Sequence, residues 1–220
     1  MCPTPTLYGS RQSRETTHAT RFRPLLGGAA CLDFVNTVAR HDDPATSDDF
    51  GSGYVQFLGW CAHESLVDET TARRLAIVAG KEPREAASVR RRVLALRAAL
   101  RGLLDSIATG NAPGPDGLAV LNDEVRRARG VEVLAAGEPG LCWQVPAPPS
   151  LESPLLAIAR DAARVLASDQ AARIRQCAGP ECERSFLDTS RNGSRRFCSP
   201  TGCGSQERVR RFRQRQKQST

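Results

Sequence analysis

Four cysteines near the C-terminal end form two matched pairs, Cys177-x4-Cys182 and Cys198-x4-Cys203, separated by fifteen residues. This spacing constrains the fold more than any other feature, because it brings four thiolates within reach of one tetrahedral metal ion. Both four-residue loops carry turn formers, Gly179-Pro180 in the first and Pro200 with Gly202 in the second. Between the pairs, Asn192-Gly193 is a hairpin-turn signal, expected to join strands at 185–188 and 194–197. Phe186, Leu187 and Phe197 supply a small apolar core, and Gln206–Gln218 reads as a helix. The order is a knuckle, a hairpin, and then a ligand pair leading into a helix, which is a treble-clef-like layout. So few apolar residues cannot fold a module of about 40 residues unaided. Metal binding is therefore expected to supply most of its folding energy, on the order of 10 kcal/mol.

Spacing alone leaves other readings open. Iron–sulfur ligation uses the same residues, and four unrelated free thiols are the bland alternative. A shell of four thiolates is closed and leaves no position for a catalytic water, so one structural Zn2+ is the expectation. Cys2, Cys31, Cys61 and Cys142 lie among apolar neighbours or in the N-terminal tail and read as buried structural thiols. His18, His41 and His63 show no partner pattern.

The net charge of +7 is unevenly placed: residues 171–220 carry +8 and residues 1–170 carry −1. A neutral body with one strongly basic end points to a polyanion partner. Only Lys81 and Lys217 among the basic residues are lysines. Arginine excess also follows from a GC-rich genome, so the placement of charge carries more weight than its chemistry. The expected contact residues are Arg191, Arg195 and Arg196 at the finger's turn, and Arg208, Arg210, Arg211, Arg213, Arg215 and Lys217 on the final helix. Arg208, Arg211 and Arg215 form one stripe, and Arg210, Arg213 and Lys217 another. Val209 and Phe212 are left to pack that helix on the metal module. Two positive stripes can meet phosphates along a DNA duplex. RNA is the other polyanion, but Phe212 is the tail's only platform for stacking a base. A solvated charged tail is the bland alternative.

Upstream, the first twenty residues are polar and lack the apolar segment of a signal peptide. No run approaches the roughly 18 apolar residues that span a bilayer, so no membrane partner is expected. Reduced, clustered thiols suggest the cytoplasm. The expected organisation is a disordered tail at 1–21, a mainly helical body at 22–172, and a finger at 173–218. Helices are predicted at 31–38, 53–66, 68–79, 84–109 and around 118–125, with a loop at 41–53. Strands at 131–134 and 141–145 form a small β-hairpin, and a long helix runs from Leu151 towards Arg173. The fold class is thus mainly α with a small β-hairpin. The helix at 84–109 carries Val89, Val93, Leu96, Leu100, Leu103 and Ile107 in steps of four and three, with Arg90, Arg91, Arg92, Arg97 and Arg101 on other faces. Its stripe would be buried inside the chain or in a homodimer. Asp33, Asn36, Thr37 and Arg40 lie on one apolar segment, with Trp60 placed to approach them. They either line a pocket for a small-molecule effector or form a buried hydrogen-bonded network. No nucleophile–base pair, phosphate loop or carboxylate pair marks an enzyme.

The finger residues resemble the CGNR zinc finger. The resemblance rests on Cys177-x4-Cys182, the run from Phe186 through Asp188, Arg191, Asn192 and Gly193 to Arg196, and Cys198 and Cys203. Upstream, Gly27-Gly28-x-x-Cys31-Leu32-Asp33-Phe34-Val35-Asn36-Thr37 resembles the start of the ABATE domain that commonly precedes that finger. Together the two cover roughly residues 22–217. The resemblance implies a bacterial stress-induced transcription regulator that binds DNA. A protein-interaction module, with zinc shaping a surface for the transcription machinery, is the competing reading. The family's Cys-Gly-Asn-Arg run is Cys203-Gly204-Ser205-Gln206 here, so the ligand is kept while Asn and Arg are replaced.

Overall fold

The computed structural model describes residues 25–38, 50, 53–137, 140–145, 149–180 and 182–218. The predicted tail at 1–21, most of the predicted loop at 41–53, Arg40 and Cys2 lie outside the described residues. Seven helices and two short antiparallel hairpins are described: α1 (Ala30–Val35), α2 (Tyr54–His63), α3 (Glu69–Lys81), α4 (Pro83–Ala108), α5 (Pro115–Gly130), β1 (Val133–Gly137), β2 (Gly140–Gln144), α6 (Ser153–Leu166), β3 (Ile174–Gln176), β4 (Ser185–Leu187) and α7 (Cys203–Gln218). None of the described helices is long and apolar enough to cross a membrane.

The helices form where the sequence supplies both a start signal and an apolar face. Asp68 caps α3, its carboxylate accepting from the Thr71 N–H at 2.7 Å. α4 and α5 both begin with proline in the first turn, where the missing N–H costs nothing. α4 is the axis of the body and touches every helix from α1 to α6. Its stripe of Val89, Val93, Leu96, Leu100 and Leu103 is buried within this one chain. α6 is amphipathic, burying Leu155, Leu156, Ile158, Ala159, Ala162 and Val165 while Arg164 faces solvent. At the α1–α2 end, Phe34, Phe50, Phe57 and Trp60 cluster with centroid separations between 5.4 and 6.4 Å.

Most of the arginines predicted on the other faces of α4 are structural ties. Arg92 bonds Glu124 on α5 at 2.6 Å and Glu152 before α6 at 2.7 Å. Those carboxylates hold its guanidinium well above its ordinary pKa. Arg90 donates to the Phe50 carbonyl at 3.0 Å. Arg97 donates to Thr37 Oγ1 at 3.0 Å and lies over the Phe50 ring. Arg101 donates to the Val35, Val38 and Glu183 carbonyls at 2.9, 3.0 and 2.9 Å, linking α1, α4 and the finger.

Three expectations are corrected. α6 stops at Leu166 rather than reaching Arg173, because Ser168 turns its hydroxyl onto the Val165 carbonyl at 2.9 Å. A 3-10 turn at Ala171–Arg173 then leads into β3. The first hairpin is shifted, because Val131 caps α5, the Glu132 N–H bonds back to the Arg129 carbonyl, and β1 begins at Val133. In the finger, β4 pairs with β3, upstream of the first cysteine, and the strand expected at 194–197 does not form. The physical reason is Asp188. Its carboxylate accepts from the Ser190 N–H at 2.9 Å and the Arg195 N–H at 3.0 Å, gathering 188–195 into a loop. Gly193 takes a left-handed φ of 61° but Asn192 does not, so the type I′ turn is not made.

The finger is seated on the body through α1. The Leu187 N–H donates to the Gly27 carbonyl at 2.7 Å. The Asn36 amide donates to the Ser185 carbonyl at 2.8 Å and accepts from the Ser185 N–H at 3.0 Å, as a strand would. A Cβ on Gly28, which has φ +86°, would meet Leu187 Cβ at 3.3 Å. Ile174 and Leu187 belong to the body's own core. Replacing Asn36 by Ala leaves both Ser185 backbone groups unpaired in a buried seam. We expect a loss of about 1–3 kcal/mol in denaturant unfolding, and an unchanged midpoint would show the seam to be dispensable.

Candidate metal centre and nucleic-acid interface

Local structure brings the four cysteines together from both sides of the finger. The Cys177 N–H donates to the Arg184 carbonyl at 2.9 Å, extending the β3–β4 ladder to the first ligand. The chain then turns through Gly179, whose carbonyl accepts the Cys182 N–H at 3.0 Å. A Cβ on Gly179 would lie 3.2 Å from those of Cys182 and Cys203, so a side chain there would push against two of the ligands. Cys203 is the first residue of α7. Ser199 fixes that start, accepting from Gly202 N–H on its hydroxyl at 3.0 Å and from Gly204 N–H on its carbonyl at 2.9 Å.

All four Sγ atoms lie within 4.8 Å of one another. Cys198 Sγ is 3.7 Å from both Cys182 Sγ and Cys203 Sγ. A tetrahedron with Zn–S of about 2.3 Å has an edge of about 3.8 Å, so the set fits one zinc ion and none of these cysteines is in a disulfide. Cys177 Sγ also accepts from the Cys198 N–H at 3.3 Å and the Gly179 N–H at 3.5 Å. Thiol donation from Cys182 and Cys198 pulls the Cys177 pKa down to about 2. The same hydrogen bond to Cys177 pushes Cys198 far up, and burial pushes Cys203 up to about 11. Four sulfurs this close cannot all ionise without a cation among them. The site holds one structural zinc, with no position left for a reacting water.

The predicted contact arginines fall into two groups. Arg195 is built into the finger: it lies 4.5 Å over the Phe186 ring, donates to the Phe197 carbonyl at 2.9 Å, and also donates to the Cys198 carbonyl. Arg210 and Arg211 are drawn to Glu207 at 2.7 and 2.8 Å, each still half-exposed. Glu207 is buried on α7, and those two guanidiniums pull its carboxyl down to about 2. Arg208 is exposed and reaches the Pro200 carbonyl at 3.3 Å. Arg191, Arg196, Arg213, Arg215 and Lys217 are exposed. Val209 and Phe212, expected to pack α7 on the metal module, are instead 47% and 60% exposed. Gly204 and Glu207 are the buried residues of α7, so the helix is anchored by its first turn. A groove of about 570 Å³ runs along it, lined among others by Ser205, Gln206, Val209, Arg213 and Lys217.

The residues suggested for an effector pocket are placed as follows. Asp33 accepts from the Gly27 N–H at 2.6 Å, Asn36 bonds Ser185 as above, and the Thr37 hydroxyl donates to the Phe34 carbonyl at 2.7 Å. Trp60 sits in the aromatic cluster, 5.6 Å from Phe34. Arg40 is outside the described residues. Of these three polar residues Asn36 bonds the finger directly, while Asp33 holds the Gly27 backbone and Thr37 ties the end of α1 to Phe34 and Arg97. Cys31 and Cys61 are buried thiols, pushed up by burial, while Cys142 is half-buried on β2. Pattern alone did not flag Arg101 or Ser185, because both act through backbone groups far away in sequence. The Gly27-Gly28 pair was the visible trace of that contact.

A family model described as the CGNR zinc finger matches residues 173–216. A second, ABATE, described as "putative stress-induced transcription regulator", matches residues 28–169. No curated protein matches the chain.

Two substitutions separate ligand from scaffold. Cys198→Ser should abolish stoichiometric zinc in metal analysis of the purified protein, and retention of one zinc per chain would refute the assignment. Arg195→Ala keeps all four ligands but exposes Phe186 and strips two carbonyls. It should lower the unfolding free energy by about 1–3 kcal/mol while zinc stays bound at saturating metal.

Proposed function

The chain belongs to the ABATE family, with a CGNR zinc finger at its C-terminal end, and from that premise we propose that it is a transcription regulator gripping double-stranded DNA. One observation carries the reading. From Thr189 to Gln218 the chain has nine basic residues and a single acidic one, Glu207, which is buried and paired within α7. The surface around the zinc site therefore presents cationic side chains with no exposed carboxylate from this stretch. Arg191, Arg196, Arg208, Arg213, Arg215 and Lys217 supply phosphate contacts. The groove face of α7 offers Gln206 and Arg213, residue types that pair with adenine and guanine edges. Ser205 and Gln206 stand where the family run has Asn and Arg, so this chain's base preference differs from that of relatives keeping the full run. Zinc acts as scaffold, holding the first turn of α7 at a set angle to the body. The protein works in the cytoplasm, where thiols stay reduced.

A protein-only interface would survive salt, and a phosphate grip would not. Fluorescence anisotropy with a labelled duplex and zinc-loaded protein should give a log–log salt slope near −0.9 per phosphate contact. Arg191→Ala and Lys217→Ala should each weaken binding on every sequence and lower that slope by about 1. Absence of duplex binding at low salt would sink the reading.

A further inference from the structure

We propose that α7 discriminates between DNA sequences by laying Val209 and Phe212 against thymine methyl groups in the major groove. The proposal rests on the DNA reading above and deepens it: phosphate contacts supply affinity, and this face supplies preference. Helix geometry separates the faces. At about 100° per residue, Ser205, Val209 and Phe212 fall within an arc of about 60°. Val209 and Phe212 are both exposed. Arg208 and Arg215 lie on one flank of this ridge, Arg213 and Lys217 on the other, and all four are exposed. Glu207, the sole carboxylate of α7, lies almost opposite the ridge and is buried. It draws Arg210 and Arg211 backwards at 2.7 and 2.8 Å. Every residue from Arg208 to Lys217 is exposed, so about 15 Å of helix is open on all sides.

The charges on both flanks decide what covers the ridge. An apolar stripe framed by cations fits a partner with apolar groups between two rows of anions. The major groove of a duplex is such a surface. Phosphates border it on both sides, its width of about 12 Å admits one helix, and the thymine C5-methyl is the apolar group on its floor. Val209 and Phe212 are about 4.5 Å apart along the helix axis, against a base-pair rise of about 3.4 Å, so they meet methyls on neighbouring pairs. An anionic membrane surface also attracts cations, but a helix lying in it needs a broad apolar face. Beyond the ligand Cys203, the large apolar residues of α7 are Val209 and Phe212 alone. A single strand stacks its bases on several aromatic platforms, and α7 has one.

Full-length, zinc-loaded protein is first used to select tight binders from a library of random duplexes. The selected duplexes are then made in two forms, one with thymine and one with uracil at every thymine position. The two have the same charge and the same hydrogen-bonding edges, and differ only in the C5-methyl. Anisotropy titration should show the uracil form bound about fourfold more weakly for each contacted methyl, with the same salt slope. A chain carrying both Val209→Ala and Phe212→Ala loses two exposed side chains to the best helix former. It should keep its zinc, its helical signal and the salt slope, and should bind the two forms equally. Equal binding of both forms by the unaltered chain would overturn the proposal and leave the DNA reading standing. So would a selection that returns no preference for thymine, or discrimination that persists in the double variant. Tighter binding to either single strand than to the duplex would also overturn it. A chain that binds no duplex at low salt removes the DNA reading itself.

Discussion

Four thiolates confined to one tetrahedron set the geometry on which the finger depends. Sulfurs 3.7 Å apart repel as anions, so four thiolates cannot stand this close without a cation among them. A dication resolves that repulsion and ties the end of the β3–β4 hairpin to the first turn of α7. Very little apolar surface helps: Phe186, with Cys177 and Cys198, forms the whole fully buried cluster beside the metal. Arg195 closes it from above by lying on Phe186 and capping two carbonyls. The direction of α7 follows from the metal and from Ser199, since only Gly204 and Glu207 of that helix are buried.

The metal site does not end at the finger. β4 carries Phe186 towards the zinc cluster and Leu187 into the body's core, and Asn36 grips the same strand through both backbone groups of Ser185. Arg101 reaches across from α4 to the Glu183 carbonyl. The contacts that seat the finger on α1 and α4 are thus continuous in the chain with the strand beside the ligands. The Gly27–Thr37 motif takes on a physical meaning in this light. Its glycines permit backbone contact with β4, its Asp33 fixes the approach, and its Asn36 completes the ladder.

Arginine does two jobs in this protein, and composition does not separate them. Arg92, Arg101 and Arg195 are consumed by carbonyls, carboxylates and a ring. Arg191, Arg213 and Lys217 stand in solvent. A guanidinium has five donors in a fixed fork, so it can bridge several backbone carbonyls as readily as it can meet a phosphate. Which it does depends on whether unpaired carbonyls lie within reach, and that is a matter of tertiary placement.

The sequence by itself determined the local elements and the ligand set. The 3.6-residue periodicity of α4, the Asp68 cap, the short first helix and the Cys-x4-Cys pairs were all legible, because each depends on neighbours a few residues away. It also marked the finger as basic and the body as neutral. Only the tertiary structure decided the rest. The partner of β4 was β3, not the segment after Asn192-Gly193, because the Asp188 carboxylate satisfied backbone donors that a hairpin would have used. Val209 and Phe212 stayed in water because α7 is held by its first turn, and the α4 arginines became ties because carbonyls of α1 and the finger came within 3 Å. Hydrogen-bond partners separated by 60 or 149 residues leave no periodic trace in a chain, and they exist only once the core has brought them together.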